Sequence, residues 1–560
     1  MAILKKILQN EYFWLVTVLV VSLGPTIPSY YFGELLMYQC HDYIIHPARL
    51  ALIESAFRQG TLIPNWLTEF SFGFGSPAML FSWFLPYYPA LFFRLSGVSL
   101  VDSIKLVFLF STIISGIGIY LLGRRVTNKT AALVAVAFFL IAPFRLNLIF
   151  TRCSFGETFA QMFIPFVFIF LLSKHRTATF LMTLTLALLV ISHFLTFMFT
   201  AFLLILWFVL AGKNRGKIIL AMLGGLLLSA FYWIPSFLEQ GMTYYADVSK
   251  MWYADQFVSL KALFNSPWQY GPPIPNDQVL SMSFQIGKIH WLVVLLTPLL
   301  WFRRQKLTPF QFRVAIFLIA SFVASILLQL RISKPLWDNF NFARIITFPW
   351  RLQAITTFSV ALLAALIVSV LPFKKFFIGT LVVLLLLANR NHFIASRGNY
   401  AGDAYLEQFG FNGGSYIEYM PKGSDLAQYN RFFNDQPHDI PLILNAAGLE
   451  LISSEVKPTK IFLKTRSGRE VSAIIRQYSF AGWQGRVDDK IVPLKSSRGL
   501  ISLDIPAGQH EVLLSFEQTP VRRLALLVSL TFGVIFFLFG LWKLSSTAKC
   551  TARRKPTGGT

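Results

Sequence analysis

The chain has 560 residues, of which 55% are hydrophobic, 16% aromatic and only 14% charged, with a mean hydropathy of +0.58 and a formal charge of +24. A soluble protein of this length needs a charged exterior that this composition cannot supply, so lipid is the solvent for most of the chain. A soluble enzyme, a disulfide scaffold and a disordered chain are thereby excluded.

Apolar runs of roughly 15–25 residues are read as spans, because a ~30 Å hydrocarbon core takes about 20 helical residues. In chain order they are 12–31, 103–123, 130–150, 157–173, 178–192, 195–211, 217–238, 287–302, 310–330, 349–372, 375–389 and 523–543. Twelve spans leave both termini on one side, the cytoplasmic one. The run 78–97 is apolar enough to be a thirteenth, but Pro86, Pro89 and two tyrosines suit an interfacial helix on the outer face better. The stretch 178–211 is too long for one span, so Ser192-His193-Phe194 is its expected external turn. The first helix of that hairpin would be only ~22 Å long, which requires a locally thin membrane or a turn that lines a cavity.

Three segments face outward in this scheme: 32–102, with an amphipathic stretch over 47–59; 239–286, rich in Trp, Tyr and Pro; and 390–522. The later part of the last alternates apolar and polar residues in KIFLKT, REVSAIIR, LISLDI and HEVLLSF, with turn residues between, which predicts a β-sandwich over 449–517. The predicted fold class is thus a polytopic α-helical membrane protein with a C-terminal extracytoplasmic β-sandwich-like domain. Its parts are a transmembrane domain (1–389), an external β-rich domain (390–522), a final span (523–543) and a basic cytoplasmic tail (544–560).

The charge follows this topology. The stretch 390–521 holds 14 basic and 14 acidic residues, whereas the rest of the chain holds 36 basic and 12 acidic. Most of those basic residues fall in short clusters between apolar runs, such as Arg124-Arg125-Lys129, Lys213/Arg215/Lys217 and Arg303-Arg304-Lys306. That is the positive-inside pattern of cytoplasmic loops, and no nucleic-acid partner is expected. Of the acids outside 390–521, only Glu11 remains inside.

Chemistry is expected where polar groups gather at the outer face. Asp42 lies in Cys-His41-Asp42-Tyr-Ile-Ile-His46-Pro, just before the amphipathic stretch. In a partly dry cleft such a carboxylate can take a proton from a hydroxyl or ligate a divalent cation; as a helix cap or a solvated loop acid it would do neither. Arg152-Cys-Ser154-Phe-Gly156-Glu157 sits between two apolar helices, where an acid and a base must be used or paired with each other. Arg145 follows Pro143 near the same face. His193 is either a hydrogen-bonded turn residue or a cavity residue. Arg344 and Arg351 flank Pro349, and a guanidinium at the outer interface either snorkels or meets a lipid-borne phosphate. Cys40 and Cys153 both fall outside, where a disulfide and two buried free thiols are equally open readings. No cysteine or histidine set has zinc spacing.

The run Asp42…His46…Gly60-Thr-Leu-Ile-Pro64-Asn-Trp66…Gly73-Phe-Gly75-Ser-Pro77…Pro86-Tyr-Tyr resembles bacterial membrane proteins labelled 6-pyruvoyl-tetrahydropterin synthase-related. So do Arg152 to Glu157, Ser192-His193-Phe-Leu-Thr196, Phe348-Pro-Trp-Arg351, Glu418-Tyr-Met-Pro421 and Gly482-Trp483…Val487-Asp488. That family looks like a branch of the GT-C glycosyltransferases, and its label implies no pterin chemistry. The resemblance implies a GT-C-like fold and transfer of a sugar from a polyprenyl-phosphate donor on the outer face of the bacterial inner membrane. The acceptor would be a cell-envelope glycan or protein. It implies Asp42 and Glu157 as the catalytic acids; the residues expected around the substrate are His46, Arg152, His193, Arg344 and Arg351, the arginines at the leaving phosphate. No paired Asp-Glu or Asp-x-Asp stands in the first loop, so metal dependence is an open reading; a divalent cation, if used, would sit on Asp42 and Glu157. The rival readings are a lipid-linked glycan transporter or flippase and a non-catalytic envelope assembly protein.

Overall fold

The computed structural model describes residues 10–35, 40–245, 247–248, 253–275, 281–340, 346–372, 374–396, 400–413, 417–427, 431, 435, 440–445 and 447–552. Among them, seven helices are long and apolar enough to cross a membrane: Glu11–Tyr30, Leu100–Val126, Phe155–Leu172, Phe194–Ala211, Pro309–Gln329, Pro349–Val370 and Pro520–Leu541. Two further pairs pass the same test together but bend by 45° (Lys129–Leu140 with Pro143–Phe150) and 73° (Arg215–Leu228 with Ala230–Met242). The runs near 178–192, 287–302 and 375–389 are shorter apolar helices, Ala178–Ser192, Lys288–Phe302 and Ile378–Ala388. Each apolar run is therefore helical, but length and composition alone qualify seven to nine as spans rather than twelve. The chain is a multi-pass helical protein of membrane composition.

The helical core is built around Pro349–Val370, 94% of whose apolar window is buried, while Pro520–Leu541 is 17% buried and rides on the outside against Ala230–Glu239. Glu11 at the start of the first helix pairs with Arg124 (3.2 Å) and Lys129 (3.0 Å), two of the clustered basic residues between apolar runs. The run 78–97 is not a span: it breaks into two short helices, Ala78–Phe81 and Tyr87–Leu95, separated by extended backbone at Ser82 and a turn that ends on Pro86.

The C-terminal region forms eight strands: β1 (Leu449–Lys457), β2 (Lys460–Ser467), β3 (Val471–Tyr478), β4 (Trp483–Val487), β5 (Lys490–Val492), β6 (Lys495–Ser497), β7 (Leu500–Ile505) and β8 (Gly508–Phe516). They make two antiparallel sheets, ordered β1-β2-β8-β4-β5 and β3-β7-β6. The four alternating segments of the sequence are β2, β3, β7 and β8. The long edge strand β1, exposed along nearly its whole length, and the short β4, β5 and β6 carry no such alternation over enough residues to be read.

The apolar cluster of these sheets is completed by a distant part of the chain. Trp66, Phe72, Phe74, Ala78, Leu80 and Phe81 from the segment 32–102 are buried with Ile461, Leu463, Ile475, Leu503 and Leu514. Trp66 Nε1 donates to Gln477 Oε1 (3.0 Å), and Gln477 Nε2 donates back to the carbonyls of Thr68 (3.1 Å) and Gly73 (2.6 Å). Gly75, at φ +77°, has no room for a side chain, since a Cβ would lie 2.4 Å from Gln477 Oε1 and 2.5 Å from the Trp66 ring. The first loop is thus pinned to the strands, and both face the same end of the helices.

Candidate functional site

The site begins with a cross-link. Cys40 and Cys153 form a disulfide with Cα atoms 5.6 Å apart, which decides between the two open readings. It runs the segments around residues 40 and 153 side by side: His41 N–H donates to the Thr151 carbonyl (2.9 Å) and Asp42 N–H to the Arg152 carbonyl (3.3 Å). Alkylation should therefore leave Cys40 and Cys153 unmodified until the protein is reduced, and then add two labels. Two labels at these positions without reductant would contradict the cross-link.

Asp42 precedes the helix Ile45–Arg58, whose first turn carries His46. The Asp42 side chain is 31% exposed and 3.8 Å from His46 Nε2. His46 is buried against Trp83, Tyr87 and Phe155. Its Nε2 lies 3.0 Å from the Cys153 carbonyl, which can only accept, so Nε2 carries the proton and Nδ1 accepts from the Tyr87 hydroxyl (3.0 Å). Burial lowers its pKa to about 4, so the ring is neutral at pH 7. Both nitrogens are engaged by protein, and His46, expected at the substrate, is instead a strut that joins the two loops.

Glu157 lies in the first turn of Phe155–Gln161, where the helix dipole favours an acid. It is fully buried. Its Oε2 is 2.8 Å from Arg152 Nη1, 3.3 Å from Ser154 Oγ and 3.8 Å from Arg351 Nε. Arg351 comes from the 3-10 turn Pro349–Leu352 that starts the central helix, and is flanked by Phe348 (4.7 Å to the ring centre) and Trp350 (6.0 Å). Arg152 lies over the same Trp350 ring at 4.7 Å. Gly156 lets the Trp83 ring pack against the start of the helix Phe155–Gln161, because a Cβ there would be 2.3 Å from that ring. One carboxylate thus holds two guanidinium groups contributed from nearly two hundred residues apart. Nearby, Arg145 is also buried, donating to Gln161 Oε1 (2.7 Å) beneath the Phe139 ring.

A cavity of about 440 Å³ opens beside this cluster. Its apolar wall comes from Phe194, Leu195, Met198, Tyr232, Trp233 and Phe237, and its polar wall includes Arg351, His193 and Glu418. His193 is the N-cap of Phe194–Ala211; its Nδ1 accepts from Thr196 N–H (3.3 Å) and contacts the Thr196 hydroxyl (2.8 Å), so the hairpin turn does line a cavity. A pair of backbone bonds closes the outer wall: Tyr244 N–H to the Met420 carbonyl (3.2 Å) and Lys422 N–H to the Met242 carbonyl (2.8 Å). They set Tyr245 on Tyr419 (6.0 Å), and Arg49 lies over Tyr419 at 5.8 Å.

Of the residues singled out in the sequence, Arg152, Glu157 and Arg351 form one cluster, His193 and Arg351 share the cavity, and Asp42 joins the cluster through its backbone bond to Arg152. Asp42 itself lines a separate small recess with Tyr43, His46 and Lys105. Arg344 lies outside the described residues. Among those described, no group of three or more His, Cys, Asp or Glu side chains could hold a metal ion. The Asp42/Glu157 pair does not fit a divalent cation either, because Glu157 is already neutralised by two guanidinium groups that would repel one. Glu418 was given no role by sequence. Its only signal was membership in the Glu418-Tyr-Met-Pro421 motif, since an acid in a soluble domain is ordinarily on its surface.

The fold and site together define a polytopic helical membrane protein with a cavity that carries Arg351 and Glu418 in a largely apolar wall, and with a C-terminal strand region. No family model and no curated relative matches the chain, so the resemblance to the 6-pyruvoyl-tetrahydropterin synthase-related proteins gains no support. Among solved structures the chain is similar to arabinofuranosyltransferase AftD from Mycobacteria (14% identity, TM-score 0.47), covering 69% of this chain and 27% of that one. It is also similar to the oligosaccharyltransferase of Archaeoglobus fulgidus (14% identity, TM-score 0.36), covering 69% of this chain and 54% of that one. A third is the archaeal oligosaccharyltransferase AglB from the same organism in complex with an inhibitory peptide and a dolichol-phosphate (13% identity, TM-score 0.36; 70% and 56% covered). The chain spans about a quarter of the first and just over half of the others. At these scores the likeness identifies neither substrate nor reaction.

Proposed function

We propose that the protein is an integral-membrane glycosyltransferase of GT-C type, moving a sugar from a polyprenyl-phosphate donor to a hydroxyl of a cell-envelope glycan or protein. The observation that carries this reading is the position of Arg351, in the wall of a cavity otherwise lined largely by aromatic and aliphatic side chains of membrane-type helices. An apolar cleft with a guanidinium at one side suits a ligand that is a hydrocarbon chain ending in phosphate.

In this reading Asp42 takes the proton of the acceptor hydroxyl, the oxygen attacks the anomeric carbon, and the bond to the phosphate oxygen breaks with its electron pair leaving on phosphate. Arg351 meets the developing charge, and Arg152 and Glu157 hold it in place. Loss of one such interaction typically raises the barrier by ~2.7–4 kcal/mol. The twelve helical runs are twelve spans with both termini cytoplasmic, and the two sheets form an extracytoplasmic sandwich on a bacterial inner membrane. The pairing of Glu11 with Arg124 and Lys129 supports that sidedness.

The test is mass spectrometry of surface glycans and lipid-linked sugars from a strain lacking the protein. The expected result is a lipid-linked sugar that accumulates and a surface sugar that disappears, both reversed by the wild-type chain and not by Arg351→Ala. Identical glycan and lipid profiles with and without the protein would end the glycosyltransferase reading.

A further inference from the structure

Glu418 is the only carboxylate in the wall of the 440 Å³ cavity, among the described residues. It stands on the short turn Ile417–Tyr419, held by the paired backbones of 242–244 and 420–422. It is half-buried, and no hydrogen bond or ion pair engages its carboxyl among the described residues. A carboxyl that lines a largely apolar cleft and has no protein partner among the described residues is open to a ligand bound there.

We propose that Glu418 is a phosphate-binding residue: as a neutral carboxylic acid it donates a hydrogen bond to a phosphodiester oxygen whose neighbours meet the Arg351 guanidinium. The proposal rests on the lipid-phosphate reading above. Two arguments favour a donor over an ionised carboxylate. An anion beside an ionised Glu418 would be repelled, whereas the neutral acid and the guanidinium both point protons at it. Burial also raises the Glu418 pKa to about 7, with Asp42 raising it further and Arg49 and Arg351 opposing. The other titratable groups facing this space are Tyr419 on the same turn, Tyr245 and Tyr232 across it, and His193 in the hairpin turn; burial holds the Tyr419 hydroxyl well above its ordinary range. The guanidinium groups of Arg49 and Arg351 stay cationic at working pH.

The test is titration calorimetry on the full-length protein in nanodiscs with farnesyl methyl phosphate, a diester whose single charge is constant between about pH 5 and 9. Binding to the wild type should be constant below about pH 6 and weaken about tenfold per pH unit above 7. Glu418→Gln, neutral throughout, should bind at the low-pH wild-type level with no pH dependence. A flat wild-type profile, or the same slope in Glu418→Gln, would overturn the role of Glu418 while leaving the lipid-phosphate site standing. Equal binding of dimethyl phosphate would assign the pocket to a soluble diester and overturn the lipid reading instead. No binding of farnesyl methyl phosphate would overturn both. If Glu418→Gln does not fold, dicyclohexylcarbodiimide decides on the unmutated chain. It should label Glu418 at pH 6, and farnesyl methyl phosphate should block it; labelling that the diester leaves unchanged would refute the proposal.

Discussion

Asp42→Asn is expected to fold, insert and keep its disulfide, yet to transfer sugar at least ~100-fold more slowly than the wild type. The Asp42 backbone is fixed independently of its carboxylate, by the neighbouring Cys40–Cys153 bond and by its own N–H on the Arg152 carbonyl. The side chain is about one-third exposed, so an isosteric amide costs little stability and removes only the ability to take a proton. The measurement is lipid-linked sugar turnover in membranes from a complemented deletion strain, with the melting temperature of the purified variant alongside. Full activity in Asp42→Asn would take the base away from this residue and leave the outer loop without a catalytic part.

Glu157→Gln is expected to lower stability by about 3–5 kcal/mol, the usual loss when one partner of a buried ion pair is removed. The carboxylate is wholly buried between Arg152 and Arg351, and without its charge two guanidinium groups face each other around the Trp350 ring. The amide still accepts from one of them, so the loss arises from unbalanced charge more than from shape. Adding Arg152→Met to Glu157→Gln should therefore recover part of the stability, because one of the two cations is then gone. Denaturant or thermal unfolding in detergent reads both effects. A Glu157→Gln protein as stable as the wild type would show that Glu157 is not what holds Arg351 in the cavity wall.

Much of the architecture was legible in the chain itself, for a definite reason. Whether a stretch of about 20 residues can dwell in hydrocarbon depends on those residues alone, so each of the twelve runs read as spans is helical, some as a bent or broken pair. The prolines of the run 78–97 are likewise a local property, and it breaks into Ala78–Phe81 and Tyr87–Leu95. Alternation located β2, β3, β7 and β8, because each has one face on the apolar cluster; the edge strand β1 has neither face covered and shows no pattern. The demand that Arg152 and Glu157 be used or paired also needed only their neighbours, and they pair at 2.8 Å.

What depends on two distant segments meeting was decided only in three dimensions. Cys40 and Cys153 could be counted as external, but their bonding required loops 113 residues apart to lie side by side. The run 78–97 read as an interfacial helix, yet its Ala78, Leu80 and Phe81, with Trp66, Phe72 and Phe74 before it, fill the apolar cluster of the C-terminal strands, where the surface they cover exists only after both parts have folded. His46 looked free to meet a substrate until Tyr87 and the Cys153 carbonyl took both its nitrogens. Glu418 stood in the sequence only as part of the motif Glu418-Tyr-Met-Pro421, and is a cavity residue because the turn bearing it is bonded to 242–244. Hydrophobicity and periodicity belong to a segment and survive being read one residue at a time. A site made by contact between segments is a property of pairs, and only the folded chain brings those pairs together.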